Sequence, residues 1–203
     1  RETEQFLRSG ILSAFPGDAI VGEEYPATPP GGTGCVWYLD PIDGTTNLVH
    51  DYQHSTVSLG LYSKGEIILG VIYDPFREEM FYAEKGKGSF VNGRPIHVAE
   101  AENLGQTIIA IGTAPYQKEL APQNFACFQR VFEKCEDIRR TGSAAMDLAY
   151  TAAGRIGGYF EARLQPWDFA AGMLILSEAG GKITRYDCSE VNPVVPGGIV
   201  ATN

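Results

Sequence analysis

Basic residues are scarce in this chain of 203 residues. It has 16 Lys and Arg against 25 Asp and Glu, which gives a net charge of −9. Beyond the pair Arg139-Arg140, the sequence has no cluster of basic residues. A chain of this charge repels nucleic acid and anionic membranes, so we expect neither as a partner. An acidic protein that handles an anionic substrate usually needs metal ions to reverse the local field.

Cysteine pairs and long hydrophobic runs are also missing. The cysteines are Cys35, Cys127, Cys135 and Cys188, and they form no CxxC pair and no Cys/His ligand spacing. Because no signal peptide is visible, we expect reduced thiols in a cytoplasmic protein. The apolar runs are too short to span a bilayer. The chain begins with Arg1 and not with Met, so these expectations concern only the residues given.

Several motifs of common enzyme chemistry do not occur. The sequence has no P-loop, no Rossmann glycine pattern and no nucleophile elbow. A catalyst that lacks these motifs and offers no protein nucleophile is expected to use water as the attacking group.

Hydrophobic spacing divides the chain into two predicted parts. Residues 1–15 have the spacing of an amphipathic helix, and residues 55–98 alternate with the period of two typical of an antiparallel meander. Asn92-Gly93 is a strong hairpin signal. Beyond residue 105, strands at 107–113 and 157–162 alternate with helices at 118–136 and 166–181. We predict an α/β protein with two lobes: 1–100, holding the meander and most metal ligands, and 101–203, supplying Asp168 and substrate contacts.

Four acidic residues lie at predicted strand ends or helix starts: Glu23, Asp40, Asp43 and Asp168. Each has a structural explanation on its own. Asp43 could cap a helix beginning at Gly44, Asp168 suits the first turn of a helix, and Glu23 could end a solvated strand. Together they form the oxygen-rich, His-poor set that Mg²⁺ prefers, and a shared carboxylate such as Asp40 can bridge two ions.

Small residues at two predicted strand-to-helix junctions could admit a ligand. Gly44 and Thr45 supply amides at a helix start, where phosphate binds readily. Gly142-Ser143-Ala144 forms the second junction, and its alternative interpretation is a tight turn with Ser143 as N-cap. His50 and His54 lie four residues apart but outside a strong ligand pattern, so we do not predict them as metal ligands.

Three blocks occur together in the order "GEE" at 22–24, "DPIDGTTN" at 40–47, and "WDFAAG" at 167–172 followed by "EAGG" at 178–181. This combination resembles the inositol monophosphatase family of Mg²⁺-dependent, lithium-sensitive phosphatases, over essentially the whole chain. The resemblance implies an αβαβα layered sandwich of the inositol monophosphatase/fructose-1,6-bisphosphatase type, assembled as a homodimer.

The resemblance also implies roles for individual residues. Glu23, Asp40 and the backbone carbonyl of Ile42 match ligands of an activating metal, and Asp40, Asp43 and Asp168 match ligands of a second, with two or three Mg²⁺ expected. Thr45 and Glu23 match the pair that orients and deprotonates the attacking water, while the amides of Gly44 and Thr45 match the phosphate site. Residues matching contacts to the inositol or sugar are Asp43, Gly142, Ser143, Ala144, Glu161 and Asp168.

The sequence also departs from the family pattern. Ser143 stands where many relatives have Thr, and Tyr25 follows the acidic pair where a small hydroxyl residue is common. The chain lacks the family's first helix, the mobile loop after it, the final helix and an aspartate just before the position of Arg1. Because that loop and aspartate help to bind a further Mg²⁺, this chain is expected to be less active than a full-length relative, or inactive.

The substrate stays open between several small phosphates. Glu161 favours a polyol such as inositol 1-phosphate. Relatives with nearly the same metal residues act on fructose 1,6-bisphosphate, histidinol phosphate, 3'-phosphoadenosine 5'-phosphate or NADP. An alternative from a different class is a regulatory binding protein of the transcription and ribosome-assembly machinery.

Overall fold

The computed structural model describes residues 1–29 and 31–203, which form two β-sheets with helices between and outside them. The helices are α1 (Glu2–Ala14), α2 (Thr45–Val49), α3 (Ala121–Phe132), α4 (Ala144–Ala152) and α5 (Pro166–Glu178). The strands are β1 (Ala19–Gly22), β2 (Cys35–Asp43), β3 (Thr56–Ser63), β4 (Glu66–Asp74), β5 (Glu79–Glu84), β6 (Ser89–Val91), β7 (Arg94–Ile96), β8 (Ile108–Ile111), β9 (Asp137–Arg139), β10 (Gly158–Leu164), β11 (Lys182–Thr184) and β12 (Gly197–Thr202).

The first sheet contains β1 to β7 in sequence order. The pair β1–β2 is parallel, and every later pair in this sheet is antiparallel. Residues Asn92 and Gly93 form the turn between β6 and β7, both at positive φ. The antiparallel pairing of consecutive strands from β3 to β7 confirms the predicted meander. Alternating side chains and the Asn92-Gly93 turn were sufficient to predict it, because together they specify hairpin pairing.

The second sheet has the order β11-β12-β10-β8-β9. Strands β9, β8 and β10 run parallel to one another, whereas β12 is antiparallel to both β10 and β11. The carboxyl ends of the three parallel strands therefore meet at one edge, where ligands commonly bind in open α/β sheets.

Helices α4 and α5 lie between the two sheets and supply most of the central core. Their apolar side chains join one buried cluster with Phe81 of the first sheet and Ile199 of the second. On the outer side of the first sheet, Ile11 of α1 packs with Trp37. On the outer side of the second sheet, Phe128 of α3 packs with Phe160. The layers thus run αβαβα, which confirms the predicted fold class.

Helix α5 packs closely against the first sheet because β4 has a glycine, Gly70, at the point of contact. A Cβ on Gly70 would lie 2.6 Å from the carbonyl oxygen of Ala171. Only a glycine leaves room for the helix backbone at this point.

Several element boundaries differ from prediction. Strand β8 spans Ile108–Ile111 and is shorter than the predicted 107–113, while β10 runs to Leu164, beyond the predicted end at 162. Strand β2 continues to Asp43, because a bulge between Asp40 and Asp43 lets the pairing with β3 resume. Helix α3 begins at Ala121 after a 3₁₀ turn over Lys118–Leu120 and ends at Phe132, and α5 ends at Glu178. Pro122 in the first turn of α3 has no N–H to donate, which suits a helix start.

The division into lobes 1–100 and 101–203 stays a prediction. The first sheet ends at Ile96 and the second begins at Ile108. One buried cluster nevertheless includes side chains from both sides of residue 100. In the part of the chain that the structure describes, no helix has the length and apolar character needed to cross a bilayer.

Candidate active site

One cavity of about 280 Å³ collects every residue predicted for the site. It lies where the end of β2 meets the start of α5 and the carboxyl edge of β8, β9 and β10. The predicted residues that line it are Glu23, Asp40, Ile42, Asp43, Gly44, Thr45, Gly142, Ser143, Ala144, Glu161 and Asp168. Residues up to 145 positions apart in sequence, Glu23 and Asp168, therefore share one site.

Each of the three aspartates is held by a backbone amide through one carboxylate oxygen. The N–H of Ile42 donates to Oδ1 of Asp40 at 2.9 Å. The N–H of Ala145 donates to Oδ2 of Asp43, and that of Gln165 to Oδ2 of Asp168, both at 2.7 Å. Charge-assisted bonds of this kind fix the orientation of the three carboxylates at the cavity.

Asp43 joins the end of β2 to the start of α4. Besides the amide of Ala145, its Oδ2 accepts a bond from the hydroxyl of Ser143 at 2.7 Å. Asp43 therefore does not cap α2, whose N-cap is Gly44 and has no side-chain cap. Ser143 is the N-cap of α4 and accepts from the N–H of Met146 at 3.3 Å, so that interpretation is confirmed.

Asp168 occupies the first turn of α5, as its structural explanation predicted. It completes a capping box with Gln165, in which each side chain accepts from the other's backbone N–H. A carboxylate here also gains from the helix dipole. The helix start thus holds Asp168 in place at the wall of the cavity.

Burial raises the pKa of all four acidic residues, and neighbouring carboxylates add to the rise. Burial raises the pKa of Asp40 well above its usual value, and Asp43, Glu23 and Asp168 raise it further. Burial also raises the pKa of Asp168 well above its usual value, with Asp43 adding to it. The pKa of Asp43 rises to about 6 through burial, against the bonds from Ser143 and Ala145. Burial raises the pKa of Glu23 too, and a hydrogen bond with Asp40 opposes this.

These residues fit divalent cations by donor chemistry but do not form a closed cage. Among residues 1–29 and 31–203, no Lys, Arg or His forms an ion pair with any of the four. Within the same described ranges, no three Asp, Glu, His or Cys side chains converge closely enough to hold an ion by themselves. Clustered carboxylates without protein counter-ions suit hard cations that keep several waters, as Mg²⁺ does.

The segment after Asp43 turns sharply at Gly44, which has φ 85° and begins the five-residue helix α2. The hydroxyl of Thr45 donates to the carbonyl oxygen of Ile42 at 3.0 Å. Nδ2 of Asn47 donates to the carbonyls of His54 at 2.7 Å and Thr141 at 2.8 Å. The Asn47 amide therefore fastens the Gly44-Thr45 turn to the chain that leads into Ser143.

Glu161 lies on the opposite wall, built by β8 and β10. Its Oε1 accepts the N–H of Ala114 at 2.9 Å, and its Oε2 accepts the hydroxyl of Tyr159 at 2.6 Å. Burial raises the pKa of Glu161. A buried acceptor with a raised pKa suits recognition of a hydroxyl group, because it can bind the hydroxyl in either protonation state.

Sequence reasoning missed three charged residues of the cavity: Asp147, Arg140 and Arg163. Asp147 is almost fully buried on α4, and both of its oxygens lie 2.8 Å from the hydroxyl of Thr141. Its position four residues after the N-cap Ser143, on the same helix face, was a usable signal. The sequence held little comparable signal for Arg140, which follows a short strand.

His50 and His54 do not line the cavity. His54 is buried against Tyr150, with ring centroids 6.2 Å apart. Burial lowers its pKa, so this imidazole is neutral near pH 7.

Comparison with known proteins agrees with this arrangement. The model of the "Inositol monophosphatase family" matches residues 1–203. The chain belongs to the inositol monophosphatase family. Its relatives include the Nus factor SuhB of Escherichia coli (strain K12), which is 39% identical over 203 residues, covering 100% of this chain and 76% of that protein. The inositol-1-monophosphatase of Synechocystis sp. is 38% identical over 203 residues, covering 100% of this chain and 70% of that protein.

A solved structure supports the same family at the level of the fold. The inositol monophosphatase from Anabaena (Nostoc) sp. PCC 7120 matches with a TM-score of 0.92 and 39% sequence identity, covering 98% of this chain and 79% of that one. The αβαβα layers described above are therefore those of the inositol monophosphatase family.

Proposed function

We propose that this protein is a Mg²⁺-dependent phosphomonoesterase that hydrolyses inositol 1-phosphate or a similar small polyol phosphate by direct attack of water. The observation that carries the proposal is the cavity lined by Glu23, Asp40, Asp43 and Asp168. None of these four forms an ion pair with a basic side chain in the described ranges 1–29 and 31–203. The names of the Synechocystis and Anabaena relatives support this reaction class.

The proposed ion-binding residues follow the family pattern. Glu23, Asp40 and the carbonyl of Ile42 would hold one ion, and Asp40, Asp43 and Asp168 a second. Bound Mg²⁺ would neutralise phosphate charge and lower the pKa of water. The amide bonds to Asp40, Asp43 and Asp168 support these roles, because they hold the carboxylates in place before an ion arrives.

Thr45 and Glu23 are the proposed residues that handle the attacking water. Because the Thr45 hydroxyl donates its hydrogen bond to the Ile42 carbonyl, the hydroxyl oxygen can accept a hydrogen bond from water. Burial raises the pKa of the Glu23 carboxyl toward neutral pH, and a general base works best when its pKa is near the working pH. No covalent bond to the protein is needed, since phosphoryl transfer depends mainly on positioning and electrostatics.

The remaining residues would hold the substrate. The amides of Gly44 and Thr45 are the proposed phosphate donors, and Gly142, Ser143 and Ala144 the proposed floor beneath the polyol. Glu161 would accept a hydroxyl of the polyol. The cavity volume is close to the lower end of the range for small-molecule sites, which supports a sugar-sized ligand.

Three further properties belong to this proposal by family resemblance. We place the protein in the cytoplasm, expect inhibition by lithium, and expect a homodimer. Sedimentation of the purified protein would test the dimer, and titration of Li⁺ against Mg²⁺-dependent activity would test the inhibition.

The decisive test is phosphate release from a substrate panel. It contains inositol 1-phosphate, fructose 1,6-bisphosphate, histidinol phosphate, 3'-phosphoadenosine 5'-phosphate and NADP, each measured with Mg²⁺ and with EDTA. We expect Mg²⁺-dependent release that is greatest for inositol 1-phosphate or a similar polyol phosphate and is lost in Asp40→Asn. Absence of release from every substrate would refute the proposal.

A second candidate function rests on the likeness to the Nus factor SuhB of Escherichia coli. A regulatory role would consist of binding a transcription complex, independently of phosphate chemistry. The test is capture of purified RNA polymerase by this protein and by Asp40→Asn. Equal capture by both forms would support the regulatory role, and no capture by either would exclude it.

A further inference from the structure

Helix α1 contains a buried ion pair. Glu4 is fully buried, and its Oε1 accepts a bond from Nε of Arg8, one turn further along the helix, at 2.6 Å. Side chains four residues apart lie on the same face of a helix, which brings the two together. Because a buried ion pair is often no more stabilising than apolar side chains of similar volume, stability alone does not explain this pair.

Both members of the pair also bind the segment that follows β1. Oε2 of Glu4 accepts the backbone N–H of Glu24 at 2.8 Å. Nη2 of Arg8 donates to the backbone carbonyl of Tyr25 at 3.1 Å, and the Arg8 guanidinium lies 5.8 Å from the centre of the Tyr25 ring. The ion pair therefore fastens the backbone of two consecutive residues to α1.

The ion pair contacts the chain on the other side of Glu23 as well. A Cβ on Gly22 would overlap the carboxylate of Glu4 and would lie 3.1 Å from Nη2 of Arg8. Gly22 is the last residue of β1, and only a glycine lets the strand end so close to the pair. Glu23 thus lies between two residues, Gly22 and Glu24, that both contact Glu4.

Glu23 needs such support more than the three aspartates of the cavity do. Asp40 and Asp43 belong to β2 and Asp168 belongs to α5. Each of these carboxylates accepts a backbone N–H. Glu23 instead lies in a bend beyond the end of β1. A side chain on irregular chain is held less firmly than one on a strand or helix unless neighbouring groups fix it.

We propose that Glu4 and Arg8 are positioning residues that hold Glu23 where it can bind the ion. They do not line the cavity, so they act on it only through residues 22–25. Groups that orient the direct ligands of a metal commonly change its affinity by about 10- to 100-fold. This inference rests on the proposed phosphatase function and adds a connection between helix α1 and the ion-binding residues.

Calorimetric titration of Mg²⁺ into the protein, without substrate, tests the connection. Glu4→Ala removes the acceptor for the Glu24 N–H and should weaken Mg²⁺ binding by about tenfold or more. Glu4→Gln keeps an oxygen acceptor at the same place and should retain most of the affinity. Wild-type affinity in Glu4→Ala would overturn the inference.

Asp74→Ala is the matched control. Asp74 is also fully buried, accepts a bond from Arg77 at 2.9 Å and accepts the N–H of Phe76 at 2.8 Å, but it does not line the cavity. Both alanine variants should lose stability in urea, whereas only Glu4→Ala should lose affinity for Mg²⁺. An equal loss of affinity in Asp74→Ala would show a general effect of destabilisation and would overturn the inference.

A double-mutant cycle separates an effect through Glu23 from an effect on the fold. In the Glu23→Gln background, the remaining aspartates still bind Mg²⁺ more weakly. There, Glu4→Ala should lower stability as before but cause no further loss of Mg²⁺ affinity. An equal loss of affinity in both backgrounds would contradict a role through Glu23.

If Glu4→Ala does not fold, Arg8→Lys takes its place. Lysine keeps a positive charge beside Glu4 but lacks the second N–H arm that reaches the Tyr25 carbonyl. It should weaken Mg²⁺ binding, and wild-type affinity would again overturn the inference.

Phosphate release, measured on the same variants, separates this inference from the phosphatase proposal. Mg²⁺ binding that depends on Glu4, in a protein that releases no phosphate, would support the inference and refute the phosphatase. Mg²⁺-dependent phosphate release with ion binding that is independent of Glu4 would do the reverse.

Discussion

At the scale of single residues, the site consists of carboxylates that destabilise the protein when no cation is bound. Asp40 is almost fully buried and faces three other acidic residues. Burying like charges together costs free energy, which binding of a cation returns. The same carboxylates that would serve catalysis are therefore expected to lower the stability of the metal-free chain.

Replacing Asp40 by Asn should stabilise the metal-free protein and at the same time weaken the binding of Mg²⁺. An amide keeps an oxygen acceptor for the N–H of Ile42 but removes the charge. We expect Asp40→Asn to melt at a higher temperature than wild type in EDTA and to lose the stabilisation that Mg²⁺ gives. Phosphate release should fall by about 10²-fold or more, since such ions supply several kcal/mol.

Thermal unfolding with and without Mg²⁺ checks this prediction. Glu190→Gln is the control, because Glu190 is exposed and lies outside the cavity. A metal-free Asp40→Asn protein less stable than wild type would show that Asp40 stabilises the fold through contacts other than its charge.

Asp43 predicts a dependence of stability on pH. Its pKa is about 6 in the folded chain, above the usual value of 3.8, so between these values the folded state binds more protons than the unfolded state. Stability contributed by the protonated form is then lost as the pH rises through about 6. In EDTA, we expect the unfolding free energy to fall more steeply from pH 4.5 to 7 for wild type than for Asp43→Asn. Parallel curves from urea unfolding would contradict this.

At the scale of elements, the Gly44 turn connects the carboxylates to helix α2. Gly44 has φ 85°, and a Cβ there would lie 3.0 Å from the carbonyl oxygen of His54. Gly65 has φ 97° but open space around it. At Gly65, an alanine meets only the backbone strain of a positive φ, about 1–2 kcal/mol. We expect Gly44→Ala to cost more stability than Gly65→Ala, because its Cβ also crowds the His54 carbonyl. Only Gly44→Ala should also lower kcat, because it displaces Thr45.

Asn47 predicts a further coupling between two elements of the site. Its side chain bonds the carbonyls of His54 and Thr141, which connects α2 with the chain before α4. Asn47→Ala should cost about 2 kcal/mol, or about 1 kcal/mol for each lost bond, and should reduce phosphate release. Asn103→Ala, an exposed change outside the cavity, is the control for urea unfolding and activity. An active, fully stable Asn47→Ala protein would contradict the coupling.

Regular elements could be predicted from the sequence, and so could the residues of the recognised blocks. The meander followed from period-two spacing and from Asn92-Gly93, because hairpins depend on local signals. The continuation of β2 to Asp43 could not be predicted, because Pro41 suggests an end and the bulge exists only through pairing with β3. Arg163 was missed because its place in the cavity depends on which strand neighbours β10.

At the scale of the whole molecule, helices α4 and α5 make the two sheets dependent on each other. Leu148 of α4 is fully buried, and a Cβ on Gly172 of α5 would lie 2.6 Å from its side chain. The two helices thus pack in direct contact, and the core around them includes residues of both sheets. Loss of this packing should therefore destabilise the first and the second sheet together.

We therefore expect the chain to unfold in one transition and Leu148→Ala to lower its stability by about 2–5 kcal/mol without splitting that transition. Far-UV circular dichroism and the fluorescence of Trp37 and Trp167 should give the same midpoint in urea, because Trp37 reports on the first sheet and Trp167 on α5. Leu104→Ala, at a half-exposed position in a 3₁₀ turn, should change stability little. Two separate midpoints would instead show that 1–100 and 101–203 unfold as independent lobes, and the cavity between β2 and β10 would then lose its rigid frame.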